Sequence, residues 1–439
     1  PAKTREAINK FVDLRAGHAC TSQRTDSYVR YLAPAYGYLD DIDGFLSMAE
    51  STIQSSSYLT RAQNAAALYI ALNQAKAGNV EDAIATITAQ YPDDTDAGDL
   101  EDRLELLTNG GIQEKGINAF LAVKLFNEGY TAAGAEVLTA AWNIATSETY
   151  INGQTDDGSQ LMYYGCSKIA RMTYQNVDQA AGQTRMQTCA NIAEDFESTG
   201  ATMAVSAAYT YLSKDALLSG LDSLGVDAFH SALSYAGLLS GEDAAEATRN
   251  AISFPVDAGV VAAGAEISDL TGALNDLKTL FTSALSAAAT EEEEKDAGYL
   301  LLSTIGAHAD VINGLRKHAE QNGPMADQSQ VINNLQTSAS ALLPQLFDVA
   351  TGLSDVDDTS DLVEKVYDLG NDYGIRFAGL FTEMASLIDD MAEYLSGSEL
   401  NSYRAALTKH ILNADAFESV AASVDTDNDG LPDFYDATA

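Results

Sequence analysis

The stretch Ala66-Ala67-Leu68-Tyr69-Ile70-Ala71-Leu72-Asn73-Gln74-Ala75-Lys76-Ala77-Gly78-Asn79-Val80-Glu81-Asp82-Ala83-Ile84-Ala85-Thr86-Ile87-Thr88-Ala89-Gln90-Tyr91-Pro92 decides how this chain folds. Ala66, Tyr69, Ile70, Leu72 and Asn73 belong to one amphipathic helix. Gly78-Asn79 gives that helix a C-terminal stop, because glycine closes a helix end without a side-chain clash. Val80 opens a second helix to about Gln90, which ends before Tyr91-Pro92-Asp93-Asp94. The pattern then repeats: a helix from Ile117 to Phe126, a break at Gly129-Tyr130, and a helix from Thr131 to about Ala145.

Working outward, residues 1–58 read as helix, loop, helix. Ala7-Ile8, Phe11-Val12 and Leu14 form the first apolar face; Val29, Leu32, Tyr36, Leu39, Ile42, Phe45 and Leu46 form the second. Residues 155–250 continue as helices, with turns near Gly153, Gly182, Gly200, Gly220, Gly225 and Gly241. Ser253-Phe254-Pro255-Val256-Asp257-Ala258-Gly259 is expected to break the helical pattern and to mark a domain boundary. Beyond it the helices lengthen. Ile267, Leu270, Leu274, Leu277, Phe281 and Leu285 make one stripe, Leu300 to Leu315 another helix, and Val331 to Phe347 a third with a kink expected at Pro344. Leu362–Leu369, a stripe of Phe377, Leu380, Phe381, Met384, Leu387 and Met391, and Glu399–Leu412 complete the series. No stretch alternates as a strand does. The fold class is therefore all-α: a hairpin stack over 1–254, a bundle of longer helices over 260–415, and a tail over 416–439.

Within 59–150 the sequence resembles the tetratricopeptide repeat family. There a small residue of the second helix packs on the first after a short glycine-containing turn. Ala83, with Ile87 one turn on, matches this after Gly78; Ala133, with Val137 one turn on, matches it after Gly129-Tyr130. The first helices lack the family's tryptophan and tyrosine markers, and Pro92 comes early. The resemblance implies a solenoid of helix hairpins without strict repeats of about 34 residues, and such stacks present extended surfaces to other proteins.

Sixty-four acidic residues against 24 basic ones give a net charge of −40. Such a surface repels nucleic acid and anionic membranes and suits divalent cations and salt. Residues 1–30 run the other way, with Lys3, Arg5, Lys10, Arg15, Arg24 and Arg30 against Glu6, Asp13 and Asp26. A basic end on an acidic body is expected to be able to dock on a neighbouring copy.

Of the three cysteines, Cys166 and Cys189 are close enough in sequence to bridge adjacent helices. An exported chain would form that bond and leave Cys20 over; in a cytosolic chain all three would be buried small hydrophobes. No CxxC pair points to zinc or thiol redox chemistry. No run of 18 apolar residues is present, so no membrane span is expected. The chain begins at Pro1 without an initiator methionine, which reads as a processed form, and no signal peptide is visible.

The tail carries the most specific chemical signal, Asp425-Thr426-Asp427-Asn428-Asp429-Gly430-Leu431-Pro432-Asp433-Phe434-Tyr435-Asp436. Calcium takes six to eight hard oxygen ligands. Asp425, Asp427 and Asp429 supply carboxylates at positions 1, 3 and 5; Gly430 permits the turn. Leu431 offers its carbonyl, and Asp433 and Asp436 stand at positions 9 and 12. Asp436 replaces the usual glutamate of an EF-hand and reaches less far. The motif resembles a single thrombospondin type 3 unit, which implies Ca2+ bound outside the cytoplasm, at the cell surface or beyond. Asp355-Val356-Asp357-Asp358 with Asp361 lacks the central glycine and reads as an acidic loop. Glu291 to Glu294 reads as a charged helix start.

The five histidines are scattered, with no HExxH, and no GxSxG, GxxxxGK[ST] or GxGxxG motif occurs in context. Trp142 and Tyr163-Tyr164 read as packing residues. The expectation is a non-enzymatic, extracytoplasmic scaffold with protein partners, including copies of itself arranged head to tail, and calcium stabilising its C-terminus. The alternative is a ligand-binding protein or enzyme with a site inside the bundle.

Overall fold

The computed structural model describes residues 3–5, 7–8, 10, 32–39, 41–52, 56–108 and 121–353. Among the described residues the secondary structure is helical with no strand, so the all-α class holds. The chain divides into two compact units, Pro1–Ala201 and Thr202–Ala439.

In the first unit, α1 (Ile42–Thr52) packs on α2 (Ser56–Lys76), and α2 on α3 (Val80–Thr88). α4 (Ala97–Leu107) and α5 (Leu121–Asn127) follow, and α5 packs on both α2 and α6 (Thr131–Ala145). After α7 (Glu148–Gly153), the segment Gln160–Gly165 is a π-helix that leads straight into α8 (Cys166–Asn176). α8 packs on α6 and on α9 (Gln179–Phe196).

One local device closes these hairpins. At the end of α2 the Gly78 N–H donates to the Ala75 carbonyl at 3.0 Å and the Asn79 N–H to the Gln74 carbonyl at 2.9 Å. That is a Schellman turn, and it places Gly78 at φ +90°, where a Cβ would be strained. Gly129 repeats it, donating to Phe126 at 3.0 Å while Tyr130 donates to Leu125 at 2.8 Å. The next helix starts two residues after each glycine, at Val80 and Thr131, and its fourth residue is the close-packing one. Ala83 is fully buried there. At Gly134 an added Cβ would lie 2.7 Å from the Phe126 ring. Ala133, the residue singled out by sequence, is only half-buried, because counting from the turn puts Gly134 at the crossing. The fourth residue of α9, Gly182, approaches closer still: its Cβ would sit 2.4 Å from Tyr174 backbone atoms. This third turn uses Asp178 instead of glycine, its Oδ1 accepting from the Ala181 N–H at 2.7 Å.

Side chains tie neighbouring hairpins together. Lys76 at the first turn pairs with Glu128 at the second, and its ammonium lies 5.8 Å from the Tyr130 ring centroid. The Arg185 guanidinium of α9 stacks 5.0 Å from the Trp142 ring of α6 and donates to Thr173 Oγ1 of α8 at 2.7 Å. Cys166 and Cys189 form a disulfide between α8 and α9, with Cα atoms 5.7 Å apart, and both residues are buried.

The second unit comprises α10 (Thr202–Leu217), α11 (Asp222–Ala236), α12 (Gly241–Asp257), α13 (Ile267–Ala287), α14 (Glu291–Asn322), α15 (Gln328–Ser340) and α16 (Leu343–Gly352). α10 packs on α11 and α12; α14 packs on α12, α13, α15 and α16. Leu270, Leu274, Leu277 and Phe281 of α13 meet Leu301, Ile305, Ile312 and Leu315 of α14 in one apolar core. Thr290 starts α14 with a reciprocal capping box to Glu293, and Glu291 to Glu294 occupy the first turn, where the helix dipole favours them.

Two expected interruptions fall elsewhere. The segment 253–259 lies inside the second unit and is helical to Asp257, with Pro255 inside α12. Pro255 stands two residues before the helix end, so it removes one N–H···O=C bond, the one to the Ala251 carbonyl, and only Val256 and Asp257 follow it in the helix. The chain turns at Gly259, with φ +99°. Residues 331–347, read as one kinked helix, are two: α15 ends at Ser340 and α16 begins at Leu343. Pro344 is the second residue of α16, in the first turn, where a missing N–H costs nothing.

Candidate functional site

The residues expected to hold calcium, Asp425, Asp427, Asp429, Leu431, Asp433 and Asp436, lie outside the described residues, as do Asp355–Asp361 and Arg15, Arg24 and Arg30. Of the basic N-terminal group, Arg5 pairs with Asp41 and lies 5.8 Å over the Tyr36 ring. That cation is engaged within its own unit.

The polar cluster that sequence reading missed surrounds the π-helix. Asp157 opens the segment: its Oδ1 accepts from the Ser159 N–H at 3.0 Å and the Gln160 N–H at 3.1 Å. The wider π turn, a feature concentrated at functional sites, is held from beneath by Tyr150 of α7. This side chain is fully buried, and its hydroxyl donates to the Gln160 carbonyl at 2.8 Å. Gly165 leaves room for the ring, since a Cβ there would meet Tyr150 Cε1 at 3.2 Å. Tyr163 and Tyr164 meet edge to face at 4.7 Å, and the Lys168 ammonium lies 4.8 Å from the Tyr163 ring centroid. Lys168 and Glu105 are both buried.

The electrostatics fix what this cluster can do. Burial first, then the negative field of Glu101, Asp157 and Glu105, pushes the Tyr150 hydroxyl well above the usual phenol range. Burial also raises Tyr164, helped by Tyr163 and the same carboxylates. Both remain protonated phenols at any physiological pH, so Tyr150 acts as a hydrogen-bond donor and not as a base. The cation of Lys168 faces an aromatic ring, an arrangement that stabilises a desolvated ammonium. Tyr163 and Tyr164, expected from the sequence to pack, are half-buried and meet each other, and Tyr163 meets the Lys168 ammonium. Glu105 and Lys168 gave no signal, because a glutamate or lysine in a helix reads as surface until the neighbouring helix is in place.

In the second unit, His230 Nε2 lies 3.0 Å from Asp269 Oδ2 at an exposed site, and Lys317 donates to the Asp257 carbonyl at 2.9 Å and its carboxylate at 3.2 Å. Ser253 donates to Asp310. His308 is buried between Thr304 and Ser338. Among the described residues no group of three or more His, Cys, Asp or Glu side chains is placed to hold a metal, and no helix is long and apolar enough to cross a membrane. No protein-family model matches the chain, and the curated proteins searched contain no significant match to it.

Proposed function

We propose that this chain is a non-enzymatic helical scaffold of the extracytoplasmic space that associates with copies of itself, with Ca2+ at 425–436 stabilising its C-terminal end. The observation that carries the reading is the buried Cys166–Cys189 disulfide inside a run of helix hairpins. Such bonds persist in oxidising compartments and are rare in the cytosol. In this reading the recurring turn, with a small residue fourth in the next helix, belongs to a hairpin stack of tetratricopeptide type, and a bundle of longer helices follows it. Stacks of this kind act through extended surfaces and not through a single cleft.

Calcium would be held by the carboxylates of Asp425, Asp427, Asp429, Asp433 and Asp436 and by the Leu431 carbonyl, drawing the end of the chain around one ion. A chain of net charge −40 repels its own copies. Association therefore needs a local exception, and the remaining basic residues of segment 1–30 supply one. Light scattering at high protein concentration and physiological salt tests this, with calcium and with chelator. The expected result is concentration-dependent mass growth that weakens in high salt and is lost in Arg15→Glu/Arg24→Glu/Arg30→Glu. A strict monomer under all conditions would overturn the reading, and electron microscopy separates filaments from layers.

A further inference from the structure

We propose that His308 is an acid-sensitive latch that holds helix α15 onto helix α14 in the second unit. The ring stands one turn after Thr304 on α14 and is 2% exposed. Its Nδ1 lies 2.8 Å from the Thr304 carbonyl oxygen. A carbonyl only accepts, so Nδ1 carries the proton of the neutral ring. Nε2 is then the bare nitrogen, and it lies 3.2 Å from Ser338 Oγ of α15, whose hydroxyl donates to it. One nitrogen is committed within α14 and the other reaches across to α15. Around this contact α15 buries Ile332, Leu335 and Ala339, and at its start Gln328 Nε2 donates to the Leu315 carbonyl at 3.1 Å.

A proton added to Nε2 places a cation among these apolar side chains. The Ser338 hydroxyl can turn and accept, so the hydrogen bond survives; the loss is hydration of the new charge. The surrounding elements offer little compensation. α15 has no ionisable side chain between Gln328 and Ser340. The Asp348 side chain of α16 is exposed. On the α12 side, Asp310 accepts from Ser253 and Asp257 pairs with Lys317. α13 contributes Lys278, a cation that opposes a second positive charge. Burial, with Lys278 adding to it, therefore lowers the His308 pKa below 6.5, against a smaller opposing pull from the Thr304 carbonyl.

A histidine whose folded pKa is depressed binds fewer protons folded than unfolded, so stability is full above pH 6.5 and falls as the pH drops towards the folded value. The least costly way to hydrate the charge is to lift α15, because α14 is also held by α12, α13 and α16. The equilibrium for that opening rises by up to about tenfold per pH unit across the window.

Amide hydrogen exchange from pH 7.5 to 5, corrected for the intrinsic rate, tests the latch in the full chain. The expected result is a selective loss of protection over 328–340 on acidification, with 291–322 still protected, and a flat response in His308→Gln, which keeps a donor and an acceptor. Unchanged protection over 328–340, or the same acid response in His308→Gln, would overturn the proposal. Should that variant not fold, NMR titration of the His308 ring in the native chain decides: a midpoint clearly below 6.5 supports the latch and one at or above 6.5 refutes it.

Discussion

Gly182 and Gly272 are both helical glycines, and their surroundings give them opposite roles. A Cβ on Gly182 would meet the Tyr174 backbone at 2.4 Å, whereas one on Gly272 would meet nothing within 4 Å. Backbone cannot swing aside as a side chain can, so Gly182→Ala must push α8 and α9 apart. The expected cost is about 1–3 kcal/mol, partly offset by the ~1 kcal/mol that alanine gains over glycine in a helix. Gly272→Ala has only the gain, roughly 0.5–1 kcal/mol. Urea denaturation of both variants checks the pair: the midpoint should fall for the first and rise for the second. A fall for both would mean that helix α13 packs against something its exposed face does not show. The sequence places a turn near Gly182; that the glycine lets α9 approach the α8 backbone depends on Tyr174, which no pattern in the chain reveals.

At the scale of elements, α8 and α9 are joined covalently by the Cys166–Cys189 disulfide. The cysteines are 23 residues apart in sequence. Closing a loop of that length restricts the unfolded chain by about 3 kcal/mol in the chain-entropy treatment. Cys166→Ala/Cys189→Ala should lower the stability of the first unit by about that amount, and reductant should do the same to the native chain once the buried bond is reached. Thermal melts with and without reductant measure it; an unchanged melt would remove the main support for an oxidising compartment. Helix ends are legible where turn residues flank them. Thr131–Ala145 agrees with its sequence reading at both ends, because a glycine turn and a polar exit flank it. The boundary at Ser340–Leu343 is not legible, since a proline within an apolar stripe suits a kink in one helix as well as the start of a new one, where its missing N–H costs nothing.

On the scale of the whole molecule the dominating quantity is the net charge of −40. Acid groups far in excess of bases make the compact state repel itself and make divalent cations its natural counterions. If the tail loop binds calcium in the folded chain, the melting temperature should rise with calcium concentration, and go on rising with its logarithm once the loop is saturated. Asp427→Asn/Asp429→Asn should abolish that rise without changing helix content by circular dichroism. A rise that persists in this variant would assign the effect to the diffuse acidic surface and not to the loop.

The sequence by itself determined the helical class, the glycine turns and the pairing of helices on either side of them, because these depend on period, propensity and chain stereochemistry within a few residues. It also named both partners of the disulfide, subject to compartment, since Cys166 and Cys189 lie 23 residues apart, close enough to bridge adjacent helices. Only the tertiary structure decided which small residue lies at each crossing, that Tyr150 supports a π turn from another helix, and that His308 is sealed between α14 and α15. Each of those depends on what a second element brings within about 4 Å, and that distance is set by packing across the core, where sequence separation carries no information.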